Sequence, residues 1–99
     1  EHCMYARIID LSGNNLTDVS PLSQLMRLEE VFLQNNHIRY IDGLNELPFL
    51  RIVDLSNNDV DDLSPFFEVE SLEFLNVMGN RIPDWQLEKL SLDGVVVVA

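Results

Sequence analysis

Four asparagines stand 22 residues apart, at positions 14, 36, 58 and 80, and each closes the same pattern of apolar residues. The clearest copy runs from Leu50 to Val60 as LxxVxLxxNxV. Val53 and Leu55 alternate with polar neighbours, the mark of a short strand with one buried face. Asn58 then carries an amide with both donors and an acceptor, and Val60 returns to the interior. Seven apolar positions keep this register through the repeats at 6–27, 28–49 and 50–71, and five of them through the repeat at 72–93. Internal periodicity of this length means stacked units, none of which can bury its apolar face alone.

Each repeat supplies a strand whose pattern positions four and six face inward while three, five and seven face out. Successive strands stack in parallel, so equivalent residues form columns. The asparagine turns the chain out of the strand and satisfies backbone groups that the buried turn leaves without partners. About seven residues remain for the return, enough for 3₁₀ or single-turn α segments and not for long helices. Ser20-Pro21 and Ser64-Pro65 are expected to cap two of these returns, and Asp42-Gly43 the third.

The pattern LxxLxLxxNxIxxIxxLxxLxx resembles the leucine-rich repeat, in the short 22-residue class of phosphatase-regulatory and internalin-like proteins. The resemblance spans residues 6 to 98. It implies an α/β fold: a right-handed solenoid with a parallel sheet on the concave face and short 3₁₀ or α turns on the convex side. It also implies a non-catalytic module that binds a partner protein, within a larger scaffold or targeting protein, for example a cytoskeletal one. Two alternatives follow from the same resemblance, a regulatory subunit of an enzyme such as a phosphatase and a bacterial surface adhesin.

The ends depart from the pattern. Residues 1–5, with Cys3, Met4 and Tyr5, read as an N-terminal cap. In the fourth repeat Trp85 falls in the place of Val19, Ile41 and Leu63, while Leu87 and Leu90 come one residue early and Pro83 intrudes. That repeat reads as the start of a C-terminal cap or as an irregular unit of a longer array. Asp93-Gly94 signals a turn, after which residues 94–99 read as a final strand, Val95 to Val98, or as the start of a C-terminal cap. A start at Glu1 and a valine-rich end suggest a piece of something longer.

Composition narrows the chemistry. Six basic residues against seventeen acidic ones give a formal charge of −11, which repels nucleic-acid backbones and attracts basic partners. A single cysteine precludes an internal disulfide and leans toward a reducing, cytoplasmic compartment, with the bacterial surface or secretion as alternative. The longest apolar run is four valines, far short of a membrane span. No nucleophile, base and cofactor set converges, so no enzyme activity and no cofactor are expected. His37 sits at a solvent-facing turn. Asp10-x-Ser12-x-Asn14 and Asp54-x-Ser56-x-Asn58 mimic the start of a calcium loop but lack its glycine and its glutamate. The Asn15-Leu16-Thr17 glycosylation sequon reads as accidental.

The outward positions carry the functional expectation. They form three columns: Ile8, Glu30, Ile52, Phe74; Asp10, Phe32, Asp54, Asn76; and Ser12, Gln34, Ser56, Met78. A purely solvated face has no use for Ile8, Phe32, Ile52, Phe74 and Met78 together. Clustered apolar residues across adjacent strands signal a binding surface, and aromatics and methionine are enriched at interface cores. Ringed by Asp10, Glu30 and Asp54, they suit a partner segment with apolar and basic side chains.

Overall fold

The computed structural model describes residues 5–99, so the cap expected of Cys3 and Met4 lies outside the described residues. Five strands, β1 (Ile8–Asp10), β2 (Glu30–Phe32), β3 (Ile52–Asp54), β4 (Phe74–Asn76) and β5 (Val96–Val98), form one parallel sheet in sequence order. The register repeats the sequence period, with Val31 level with Ile9, Val53 and Leu75 following, and Val97 last. Returns run through 3₁₀ segments at Ser20–Gln24, Leu44–Glu46 and Ser64–Glu68, and through one helix, α1 (Asp84–Leu92).

The core fills the space between sheet and returns in columns. Val31, Val53 and Leu75 lie beneath Leu33, Leu55 and Val77, with Ile41 and Leu63 and then Leu44 and Phe66 on the return side, all essentially inaccessible. A three-residue strand has too few hydrogen bonds to persist alone. The stacked apolar columns therefore supply most of the stabilisation, on the order of 2 kcal/mol for each fully buried aliphatic side chain.

The asparagines tie the strand exits together. The Asn36 side-chain oxygen accepts the Asn14 and Leu16 N–H groups at 2.9 and 2.8 Å. Its amide donates to the carbonyls of Leu33 in its own repeat and Leu11 in the previous one, each at 3.0 Å. Asn58 repeats this with Ile38 N–H and the carbonyls of Leu33 and Leu55, and Asn80 with Val60 N–H, Leu55 and Val77. The Leu33 and Leu55 carbonyls thus each accept from two asparagines, using both lone pairs. Asn14, at the start of the stack, is exposed and donates to Ser12. The residue before each ladder asparagine has positive φ: Gly13 at 70°, Asn35 at 62°, Asn57 at 58° and Gly79 at 78°. Glycine and asparagine are the residues that tolerate this left-handed conformation, so the Gly-Asn and Asn-Asn pairs are turn chemistry.

A second device recurs at the corners. Asp10 and Asp54 accept the N–H of Ser12 and Ser56, and Asn76 that of Met78, at 2.9–3.1 Å. At the opposite corner Asp18 and Asp62 accept the N–H of Ser20 and Ser64, both at 2.9 Å. The calcium-like Asp-x-Ser runs are therefore turn closures. This corrects the caps expected from the serines. Ser20 and Ser64 are the first residues of their 3₁₀ segments, and the side chain holding each one's backbone is the aspartate two residues earlier. Asp42 is no cap either; the Gly43 N–H is accepted by Asn45 at 2.9 Å.

The fourth repeat departs most from expectation. Its return is a nine-residue α-helix rather than a single turn, and Trp85 is 58% exposed instead of filling the place of Val19, Ile41 and Leu63. Pro83 fixes an extended residue at the helix start, and the 3.6-residue period then turns Gln86 and Leu90 inward. Gln86 is buried because it has partners: it accepts the Leu63 N–H at 2.7 Å and donates to Asp62 at 2.9 Å. Tyr5 does not cover the core; it is exposed, with the Arg27 guanidinium 5.4 Å from its ring centre.

Two outcomes check this scheme. Asn58→Ala orphans the Ile38 N–H and opens a void, so urea unfolding should show a loss of about 2–3 kcal/mol, against under about 1 kcal/mol for exposed Asn14→Ala. Hydrogen bonds from backbone N–H hold Asp10, Asp18 and Asp62 below the usual carboxylate range, with Gln86 adding to the effect at Asp62. Carboxylates depressed in the folded state contribute stability above their unfolded pKa of about 4 and lose it as pH falls through the folded value. The thermal midpoint should therefore fall steadily below about pH 4, and less steeply in Asp62→Asn, which keeps an acceptor for Ser64 without the charge.

Candidate functional site

The outward face of the sheet is built by register alone. Ile8, Glu30, Ile52, Phe74 and Val96 are level across the five strands, and Asp10, Phe32, Asp54, Asn76 and Val98 form the next row. The third row follows the strand ends, where Gly13, Asn35 and Asn57 donate to the carbonyls of Gln34, Ser56 and Met78. All nine residues expected on this face are on it, but they are not one patch. Ile52, Phe74 and Val96 are direct neighbours spanning about 10 Å, given about 4.8 Å between strands. Phe32 lies diagonally beside Ile52, and Met78 is half-exposed at the strand end below Phe74. Ile8, 59% exposed, is cut off from them by Glu30. Val96 and Val98 extend the apolar area and are absent from the three sequence columns; the four-valine run carried the signal.

The carboxylates do not act alike. Asp10 and Asp54 are occupied by their own turns, with Asp54 also accepting the Ser56 hydroxyl at 2.8 Å. Their remaining oxygens stay at the surface. Glu30 faces the Arg51 guanidinium at 3.0 Å, a cation it shares with two other glutamates. Arg51 also reaches Glu29 at 4.0 Å and Glu73 at 3.7 Å, while Arg7 holds Glu29 at 3.0 Å. The Glu29 contacts raise the Arg7 guanidinium above its ordinary pKa. Arg7, Glu29, Arg51 and Glu73 stand 22 residues apart and alternate in sign, which makes a charge ladder along the edge where the strands begin. That periodic alternation was visible in the sequence and marks a column outside the three expected. One polar group on the face lacks a partner: the Gln34 side-chain oxygen, shielded from solvent, accepts no hydrogen bond among the described residues.

Among the described residues no three histidine, cysteine, aspartate or glutamate side chains are grouped to hold a metal, and no helix is long and apolar enough to cross a membrane. A groove of about 610 Å³ is open and lies at the asparagine edge, where His37, Arg39 and Arg81 alternate with Asp59 and Asp61. Arg39 and Asp61 are paired there at 3.3 Å.

Stacked parallel strands with short returns and an open sheet face define a repeat solenoid. The family model for Leucine Rich repeats (2 copies) matches residues 7–46 and 26–68, more than half of the sequence, and the chain belongs to the leucine-rich repeat family. Among solved structures, internalin C2 of Listeria monocytogenes is 32% identical over 96% of this chain and 42% of its own, with a TM-score of 0.82. A chain of the Drosophila melanogaster SNF/U2A' complex is 32% identical over 89% and 55%, with a TM-score of 0.68. A leucine-rich repeat protein of Leptospira interrogans shares the fold at 22% identity and a TM-score of 0.81, covering 94% and 25%. The chain thus spans about half or less of each of these structures. No curated protein matches it.

Removing Arg51 leaves Glu29, Glu30 and Glu73 side by side. Exposed pairs contribute roughly 0–1 kcal/mol each, so Arg51→Ala should lower unfolding free energy by about 1 kcal/mol at low salt and by less at high salt, measured by urea titration.

Proposed function

We propose that this chain is a non-catalytic recognition module that binds a partner protein through the open face of its sheet, within a larger scaffold or targeting protein. Family membership supports the general role, since leucine-rich repeats serve protein–protein interaction. The observation that carries the site is the contiguous apolar row of Ile52, Phe74 and Val96 on the outward sheet face, with Phe32 diagonal to Ile52. Aromatic side chains in such a setting supply most of the binding energy at interfaces.

The proposed partner segment places an apolar side chain on Phe32, Ile52 and Phe74 and basic side chains toward Asp10 and Asp54. Glu30 shares Arg51 with Glu29 and Glu73, so this edge keeps a net negative charge that adds to the steering. Ile8, Asn76 and Met78 complete the rim. The lone cysteine supports a reducing, cytoplasmic setting. The 32% identity with internalin C2 favours a second reading, the same binding role at a bacterial surface, which fractionation of the source cells separates from the first.

Affinity purification with the wild-type chain and with the Phe32→Ala/Phe74→Ala variant, read by mass spectrometry, tests the site. A partner retained by the wild type should bind the variant at least about tenfold more weakly. Both rings are half-buried, so the variant's thermal midpoint should drop modestly while the chain stays folded. Equal retention by both proteins would contradict the proposal.

A further inference from the structure

The return side carries a second exposed apolar cluster that the sheet-face reading leaves unused. Trp85 is 58% exposed and Leu92 87% exposed. They are seven residues apart on α1, hence on one face, opposite the inward Gln86 and Leu90. Phe67, on the neighbouring 3₁₀ segment, meets Trp85 edge-on with ring centres 5.8 Å apart. The Lys89 ammonium lies 5.2 Å from the Phe67 ring centre and pairs with Asp93 at 3.4 Å, so this one cation is already engaged. A tryptophan that could have stayed in the core, as its counterparts Val19, Ile41 and Leu63 do, is instead displayed because Gln86 takes the inward place.

The charge around this cluster has one sign. The stretches 42–49, 61–71 and 84–93 contain two, four and three acidic residues and only one basic residue, Lys89. Beside Phe67 opens a groove of about 440 Å³ whose lining includes Asp42, Asn45, Ser64, Pro65 and Glu68. An apolar platform thus borders an acidic groove. Guanidinium groups both stack on aromatic faces and pair with carboxylates. A second copy of the chain is disfavoured by the same field, because two such surfaces would repel.

We propose that Phe67, Trp85 and Leu92 form a second docking surface, for a basic amphipathic segment of a partner protein. Apolar side chains of that segment rest on Trp85 and Leu92. An arginine reaches past Phe67 into the groove toward Asp42 and Glu68.

Trp85 is the chain's single tryptophan, so its fluorescence reports this surface directly. The probe is a helical peptide of arginine and leucine at amphipathic spacing, with a glutamate-and-leucine peptide of the same spacing as control. The arginine peptide should shift Trp85 emission to shorter wavelength saturably, with affinity falling steeply as salt rises; the glutamate peptide should not. Titrated by the Trp85 emission shift, Phe67→Ala and Leu92→Ser should each weaken binding at this surface about tenfold, and Phe32→Ala/Phe74→Ala should leave the shift unchanged. Leu92 is almost fully exposed, so its variant tests the surface even where Phe67→Ala lowers the thermal midpoint. The proposal is overturned by an unchanged emission, by equal binding of the glutamate peptide, or by loss of binding in the sheet-face variant alone. Concentration-dependent dimerisation of the free protein that buries Trp85 also overturns it.

Discussion

Every turn of this solenoid has to leave a buried strand without stranding its backbone polar groups. An unpaired buried N–H or C=O costs about 1–3 kcal/mol, and three-residue strands have little else to offer at their ends. The asparagine ladder meets that constraint. The amides of Asn36, Asn58 and Asn80 each bond their own repeat and the one before it, and the Leu33 and Leu55 carbonyls are shared between successive asparagines. The ladder also requires left-handed residues just ahead of it, at Gly13, Asn35, Asn57 and Gly79. At Gly79 even a methyl group would run into the side chain and backbone of Asn57. The fixed spacing from strand to asparagine within each repeat follows from this linkage, because a shift there would break the register of both strand and amide.

Because the ladder and the apolar columns carry the fold, the outward strand positions are free to vary. The corner aspartates tie down the turns, and the alternating Arg7, Glu29, Arg51 and Glu73 column pairs charges along the sheet edge. What remains on the sheet face is an apolar row from Ile52 to Val96. A surface of this kind can change its partner without changing its scaffold.

The architecture was legible in the sequence because each structural role recurs at a fixed spacing. Strand positions, the four asparagines and all nine sheet-face residues fall where the pattern puts them. Hydrogen-bond bookkeeping at the corners was harder to read. Ser20 and Ser64 look like caps, but the aspartate two residues earlier reaches the backbone better, and the same Asp-x-Ser tripeptide serves both corners. The fourth repeat misled for a different reason. Period 22 puts Trp85 in a core place, but a true α-helix from Asp84 imposes its own period and brings in Gln86. A buried glutamine is invisible to an apolar pattern, because what admits it is an unpaired N–H on Leu63, a long-range fact. The contiguity of Ile52, Phe74 and Val96 was likewise hidden until β5 was in register.

The central claim is that the ladder asparagines bind the repeats into one cooperative unit. Native-state hydrogen exchange at the Leu16, Ile38 and Val60 amides, each accepted by the asparagine of the following repeat, tests it most directly. The account predicts that Ile38 and Val60, inside the stack, exchange only through global unfolding, as slowly as the Val53 and Leu55 core amides, with Leu16 somewhat faster at the open end. Exchange of Ile38 and Val60 at rates typical of exposed turns would contradict it.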